Sequence, residues 1–326
     1  MNVTFYGTRG SIPVSGFWSN EYGGNTTSLR ITSECLPSGN ALAVDAGSGF
    51  VPLSRGLLGN HIERINLLFT HFHHDHTMGL PLAPHTFIPS ARINIWGPKE
   101  HGVGPLEVFK TIMCPPYFPV DFAMVQSRFY CHGLENIGTQ VMVVHPKGGF
   151  LLVKMDVFER TEREREREGN QLSFGKNGRH AIDECLVIKM YKTRHPEYTV
   201  SYRFEERPTD RVFVFLTDHE KTAGFPLEFV RHLQDADLLV QDAQYSEEQY
   251  HKDKAGFGHG TPEYCVDTAI AAGAKTLGLT HHDPAATKLV IESRLQAAKE
   301  HAAKQLRHDL AEHIFACADG QTMTVI

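Results

Sequence analysis

The chain has 326 residues, 41% hydrophobic and 21% charged, an ordinary balance for one large globular domain or two small ones. A formal net charge of −6 argues against a dedicated nucleic-acid binder, which carries a basic footprint, and no extended nucleic-acid groove is evident. No apolar run is long enough for a membrane span, and the first residues read as strand and turn rather than signal peptide, so the expected location is cytoplasmic.

The first third predicts strands at 2–6, 27–32, 41–45 and 64–69, with a helix at 50–58. A strand at 92–96 and a helix at 104–113 follow. Cys114-Pro115-Pro116-Tyr117-Phe118-Pro119 then reads as a loop. Strands are expected at 122–130, 140–145 and 149–158. Residues 159–168 are a near-neutral run of Glu and Arg broken by Thr161, and 159–180 read as solvated, within an insertion expected at about 146–183. Strands at 185–193, 199–205 and 211–217 precede a helix at 225–234, a strand at 237–241, a helix at 262–272 and a strand at 275–280. Asp283-Pro284 looks like the cap and first turn of a long helix, with Ile291, Leu295, Ala298, Ala302 and Leu306 on its apolar face. A final strand is expected at 314–326. The pattern predicts an α/β fold of mixed sheets, with no internal repeat. The six cysteines show no C-x-x-C pair, which fits free thiols in a reducing compartment.

Histidine is over-represented, at 20 residues, and its placement is informative. The apolar run Ile65–Phe69 leads directly into Thr70-His71-Phe72-His73-His74-Asp75-His76. His71 and His73 can converge on one ion, and Asp75 and His76 on a second nearby. Three other apolar strands also run toward a ligand-type residue: His195, Asp218 and His281. Strand ends along one sheet edge can meet in one cleft.

The H-x-H-x-D-H run resembles the signature of the metallo-β-lactamase superfamily. The later order His195, Asp218, His281 resembles its phosphodiesterase branch, which includes ribonuclease Z and the cyclic phosphodiesterases of phosphonate metabolism. Further matching pieces are Gly7-Thr8-Arg9-Gly10-Ser11-Ile12-Pro13, Tyr22-Gly23-Gly24-Asn25-Thr26, Asp45-Ala46-Gly47-Ser48-Gly49, Ser201-Tyr202-Arg203-Phe204, Asp242-Ala243-Gln244-Tyr245, Gly258-His259-Gly260-Thr261 and Leu279-Thr280-His281-His282-Asp283-Pro284. The resemblance implies a single αββα sandwich over 1–326, interrupted by the insertion. It implies two divalent ions, one on His71, His73 and His195, the other on Asp75, His76 and His281, with Asp218 bridging. Zinc is the expected metal; manganese and iron suit the same ligands.

Other residues carry two readings each. His145 rivals His195, since both precede a proline after a strand, but only His195 is followed by the Ser-Tyr-Arg-Phe piece. Asp45 and Asp242 are either turn formers or acceptors that orient ligand histidines. His259 is either a helix-entry residue or, by resemblance, a general acid; Gly260 stands where ribonuclease Z has Ser. His74, His219 and His282 should point away from their ligand neighbours. Tyr117 and Phe118 are either a wall for a base or a packing plug. The expected function is hydrolysis of a small phosphodiester, a cyclic nucleotide or cyclic sugar phosphate, by a water activated between the metals. Asp75, Asp218 and His259 would be catalytic. The alternatives are an acyl-substrate metallohydrolase and a tRNA 3′-processing-type endoribonuclease. A homodimer is left open.

Overall fold

The computed structural model describes residues 1–16, 21–163 and 170–326. Two mixed sheets stack face to face. The first contains β1 (Asn2–Gly7), β2 (Ser28–Thr32), β3 (Asn40–Val44), β4 (Arg64–Leu68), β5 (Arg92–Pro98) and β6 (Phe129–Leu134). The second contains β7 (Gln140–His145) and β8 (Gly149–Lys154). A hairpin of β9 (Gln171–Ser173) and β10 (Arg179–Ala181) intervenes. The second sheet continues through β11 (Leu186–Lys192), β12 (Val200–Glu206), β13 (Arg211–Leu216), β14 (Leu238–Asp242), β15 (Leu277–Thr280) and β16 (Ile314–Ala316). The last strand, β17 (Thr322–Thr324), returns to the edge of the first sheet, beside β1.

The strand sequences explain the layering. Leu42, Val44 and Leu68 face inward and meet Met142, Val144, Ile188, Tyr202, Phe204 and Phe215 of the other sheet. The alternate residues Ala41, Ala43, Ile65 and Leu67 face outward and are covered by Phe50, Leu53 and Leu57 of the helix Phe50–Gly59 and by Phe109. Val214, Leu216 and Leu239 face outward beneath the helices Leu227–Leu233 and Pro262–Ala272. These parallel strands are apolar on both faces because both are covered. β3, β4, β5 and β6 run parallel in one sheet, and β13, β14, β15 and β16 in the other. The result is helix, sheet, sheet, helix. No helix among the described residues is long and apolar enough to cross a membrane.

Several expected elements differ. Residues 122–130 are not one strand: Phe122–Val125 is helical, with the Asp121 carboxylate accepting the Ala123 N–H at 2.8 Å, and the strand begins only at Phe129. An Asp N-cap outweighed the β-leaning composition. The strand expected at 149–158 stops at Lys154, and Met155–Arg163 is a helix. Residues 159–180 are not simply solvated. Leu172 and Phe174 within them, and Phe158 and Ile182 flanking them, are buried against Val141, Val143 and Val187. Part of the charge run, 164–168, lies outside the described residues. The long helix begins at Lys288, capped by Thr287, not at Pro284; the Asp283 carboxylate closes the preceding turn through the Ala285 N–H at 2.7 Å. Leu306 lies past the end of that helix and is exposed. The expected final strand is divided between the two sheets by a turn at Asp319-Gly320.

Candidate metal centre

The parallel strands deliver their C-terminal ends to one edge of the sandwich. β3 is followed by Asp45, β4 by Thr70 and His71, β13 by Asp218, and β15 by His281; Asp242 ends β14. Asp45, Asp218 and His281 all have left-handed backbones, with φ of 56°, 50° and 60°. Such conformations are costly for residues with a Cβ and persist where the surroundings enforce them. Each turns a side chain sharply from the strand end toward the cleft.

The donor atoms of His71, His73, His195 and Asp218 lie within 4.8 Å of one another, as do those of Asp75, His76 and His281. Asp218 divides its carboxylate between the two groups. Oδ2 lies 3.6 Å from His71 Nε2 and 4.0 Å from His195 Nε2. Oδ1 lies 3.4 Å from both His76 Nε2 and His281 Nε2. Asp75 Oδ2 lies 3.4 Å from His76 Nε2 and 3.2 Å from His281 Nε2.

Outer partners fix which nitrogen faces the cleft. His76 Nδ1–H donates to Asp45 Oδ2 at 2.8 Å, and His195 Nδ1–H to the Gly258 carbonyl at 3.0 Å. His281 Nδ1–H donates to Gln244 Oε1 at 2.9 Å. His71 Nδ1 sits 3.1 Å from Thr70 Oγ1, which donates to Asp45. These bonds turn Nε2 lone pairs inward, the arrangement ligating imidazoles use. His71 Nε2 and His76 Nε2 are buried without a hydrogen-bond partner. Buried nitrogens are rarely left so, and a cation between the donor groups would satisfy both. The residues therefore fit a pair of divalent ions.

The charges are tightly interlocked. Burial would lower the His281 ring, but Asp218, Asp242 and Asp75 raise it to about 9. Burial opposes the charged His76 too, yet Asp75, Asp218 and Asp45 hold it well above its ordinary value. Burial drives His71 the other way, well below, and the neighbouring His76 adds to this. Burial also opposes ionisation of Asp75 and Asp218, but the surrounding histidines outweigh it and hold both below the usual carboxylate range.

Asp45 does more than shape a turn: it accepts from Thr70 N, Thr70 Oγ1 and His76 Nδ1 at once. Asp242 orients His259, whose Nδ1–H it accepts at 2.8 Å, while its other oxygen accepts the Gln244 N–H at 2.9 Å. His259 lies at the cavity with Asp75, Asp218 and His281, a space of about 390 Å³. His145 is elsewhere, accepting the Lys147 and Gly148 N–H groups and contacting Glu184. His219 and His282 face away, held by Tyr264 and the Cys317 carbonyl. His74 is exposed at the cavity wall. Phe118 packs under the first sheet, and Tyr117 is exposed.

Sequence reasoning gave no role to Gln244, Ser11, Glu220 or Gly10. The Ser11 N–H donates to Asp75 Oδ2 at 2.8 Å. Glu220 accepts from Gly256, Gly258 and Tyr250, pinning the loop that precedes His259. A Cβ at Gly10 would come within 2.4 Å of the His281 ring, so a glycine there makes room for that histidine. Gly10, Ser11 and Gln244 lie in pieces matched by resemblance, but their partners are distant in sequence.

No family model matches the chain. It is 28% identical over 311 residues to ribonuclease Z of Haloarcula marismortui, covering 90% of this chain and 91% of that one. In structure it is similar to the metallo-β-lactamase fold protein YhfI of Bacillus subtilis, with a TM-score of 0.59, 15% identity and 99% of each chain covered. Yeast PDE1 superposes with a TM-score of 0.62, at 15% identity over 98% of each chain. The two-sheet architecture is that of the metallo-β-lactamase fold, and with the assembled His and Asp cluster and the likeness to ribonuclease Z it supports a metal-dependent hydrolase of the phosphodiesterase type.

Proposed function

We propose that the chain hydrolyses a small phosphodiester, a cyclic nucleotide or cyclic sugar phosphate, at a dinuclear zinc centre. His71, His73 and His195 would hold one ion, Asp75, His76 and His281 the other, and Asp218 both. The observation that carries this reading is the divided carboxylate of Asp218, with one oxygen toward each histidine group. Two such ions, when bound, acidify a shared water and draw charge from phosphate oxygens. The chain's own residues supply the rest. Asp75 and Asp218 offer oxygens that can accept a proton contact from the attacking water and align it. His259 has its Nδ1–H committed to Asp242, so Nε2 is the atom available to the substrate. A proton carried there can pass to the leaving oxygen as the P–O bond breaks.

The carboxylates Glu100 and Glu197 beside the cavity favour a small substrate over a long polyanion. The likeness to ribonuclease Z favours a second reading, tRNA 3′-processing-type cleavage. A panel on metal-analysed protein separates the readings: bis(p-nitrophenyl) phosphate, cyclic nucleotides, a cyclic sugar phosphate, a lactone and a 3′-extended tRNA. Turnover of cyclic substrates above the others is the expected result. Preferred, site-specific cleavage of the tRNA would replace it with the second reading. Turnover of the lactone alone would make the protein an acyl hydrolase.

A further inference from the structure

A second cavity, of about 360 Å³, opens directly beside the centre: it shares Phe72 and His73 with the cavity there, and His71 and His73 with the His and Asp cluster. That volume is within the range of small-molecule sites, roughly 300–1,000 Å³. Its exposed wall area is mostly apolar, from Phe72, Pro98, Val103, Val108 and Tyr198, with two carboxylates, Glu100 and Glu197, and the His101 ring at the rim.

The walls are held in place. Glu100 and Val103 exchange both backbone hydrogen bonds, at 3.0 and 2.9 Å, around a two-residue turn at His101 and Gly102. Both turn residues have positive φ, 52° and 82°, as such tight hairpin turns require. On the other side the Tyr198 hydroxyl accepts the Ile137 N–H at 3.3 Å. Lys192 Nζ sits 4.2 Å from the centre of the Tyr198 ring and 4.0 Å from Glu100 Oε1. Lys192, beside the cavity, is thus engaged by the Tyr198 ring and Glu100, and the polar side chains lining the cavity are the carboxylates of Glu100 and Glu197 and the imidazoles of His71, His73 and His101. A second phosphate would meet carboxylates here. A flat ring would meet apolar walls, and an amino group on its edge would meet acceptors.

We infer that this cavity is a base subsite, selecting a nucleobase that carries an exocyclic amine. The inference rests on the phosphodiesterase reading and deepens it. The phosphate would lie at the His and Asp cluster and the base between the Phe72 and Tyr198 walls. Glu100 and Glu197 would accept from the amine, as carboxylates do from the N4 amine of cytosine. Uracil, with an acceptor oxygen at the same position, would face those carboxylates unfavourably.

The test compares cytidine and uridine 3′,5′-cyclic phosphates, which differ at that edge. The expected result is a kcat/KM about tenfold higher for the cytidine substrate, carried by KM. In the double variant Glu100→Gln, Glu197→Gln the ratio should fall toward unity, because an amide can donate to uracil as well as accept from cytosine. Equal kcat/KM values in the native protein, or a double variant that keeps the native ratio, would overturn the subsite. A separate arm uses bis(p-nitrophenyl) phosphate, which has no base and reports only on the phosphodiesterase reading. If neither it nor any nucleotide is cleaved, that reading fails. Calorimetric titration of the metal-loaded protein with CMP and UMP then decides the subsite: tighter, glutamate-dependent CMP binding upholds it, and equal or absent binding overturns it.

Discussion

Asp218 is the residue on which two ions would depend together. Its two oxygens face different histidine groups, and it is held there by a left-handed backbone at the end of β13. Asp218→Ala should lower both metals in step, as read by elemental analysis after gentle purification. Loss of one ion with the other retained would make Asp218 a terminal ligand. His259 should behave differently: its Nδ1 lies 4.0 Å from Asp218 Oδ2 but is committed to the nearer Asp242, at 2.8 Å. His259→Ala should keep its metal and lose roughly 10²–10⁴-fold in kcat toward a ribose leaving group. The defect should shrink for p-nitrophenolate, which needs little protonation. Loss of metal in this variant would make His259 a ligand. Most of these residues were legible in the sequence, since a histidine or aspartate directly after an apolar strand is a strong local signal. Gln244 and Ser11 were not. Their roles depend on contacts with His281 and Asp75, which lie 37 and 64 positions away.

At the scale of elements, legibility followed local pattern. β3, β4, β13 and β15 are short apolar runs bounded by turn residues, and their positions agree with expectation to within a residue or two. The segment after Lys154 was misread because charge dominates it. In the helix Met155–Arg163 only Phe158 is buried, so one residue carries the packing of a helix that otherwise reads as solvated. Leu172 and Phe174 complete that contact from a hairpin whose apolar content is too sparse to show a period. Phe158→Ala should therefore destabilise the fold by about 3–5 kcal/mol, the cost of an emptied aromatic site. Urea unfolding at fixed pH measures this. A change below about 1 kcal/mol would mean that the segment rests loosely on β7 and β11 and contributes little to the core.

The whole molecule is two sheets that meet at a dry core and share one polar edge. His71, His73, Asp75 and His76 follow β4 of the first sheet. His195, Asp218 and His281 follow β11, β13 and β15 of the second. Each proposed ion would thus be held from both sheets, by His71 and His73 opposite His195, and by Asp75 and His76 opposite His281. Metal would therefore act as a clamp across the sandwich as well as a reagent. Ligand that binds only the folded state adds about 4 kcal/mol at a thousand times its Kd. For a chain of this size that corresponds to a Tm change of roughly 5–10 °C. Chelation should lower the Tm of the native protein by about that much, and should leave Asp218→Ala nearly unmoved. Hydrogen exchange locates the effect. Protection should fall together in the loop after β4, residues 70–77, and in the turn after β15, residues 281–283. Loss confined to one of these segments would show that metal is anchored on one sheet alone. The facing histidines of the other sheet would then serve substrate rather than the ions.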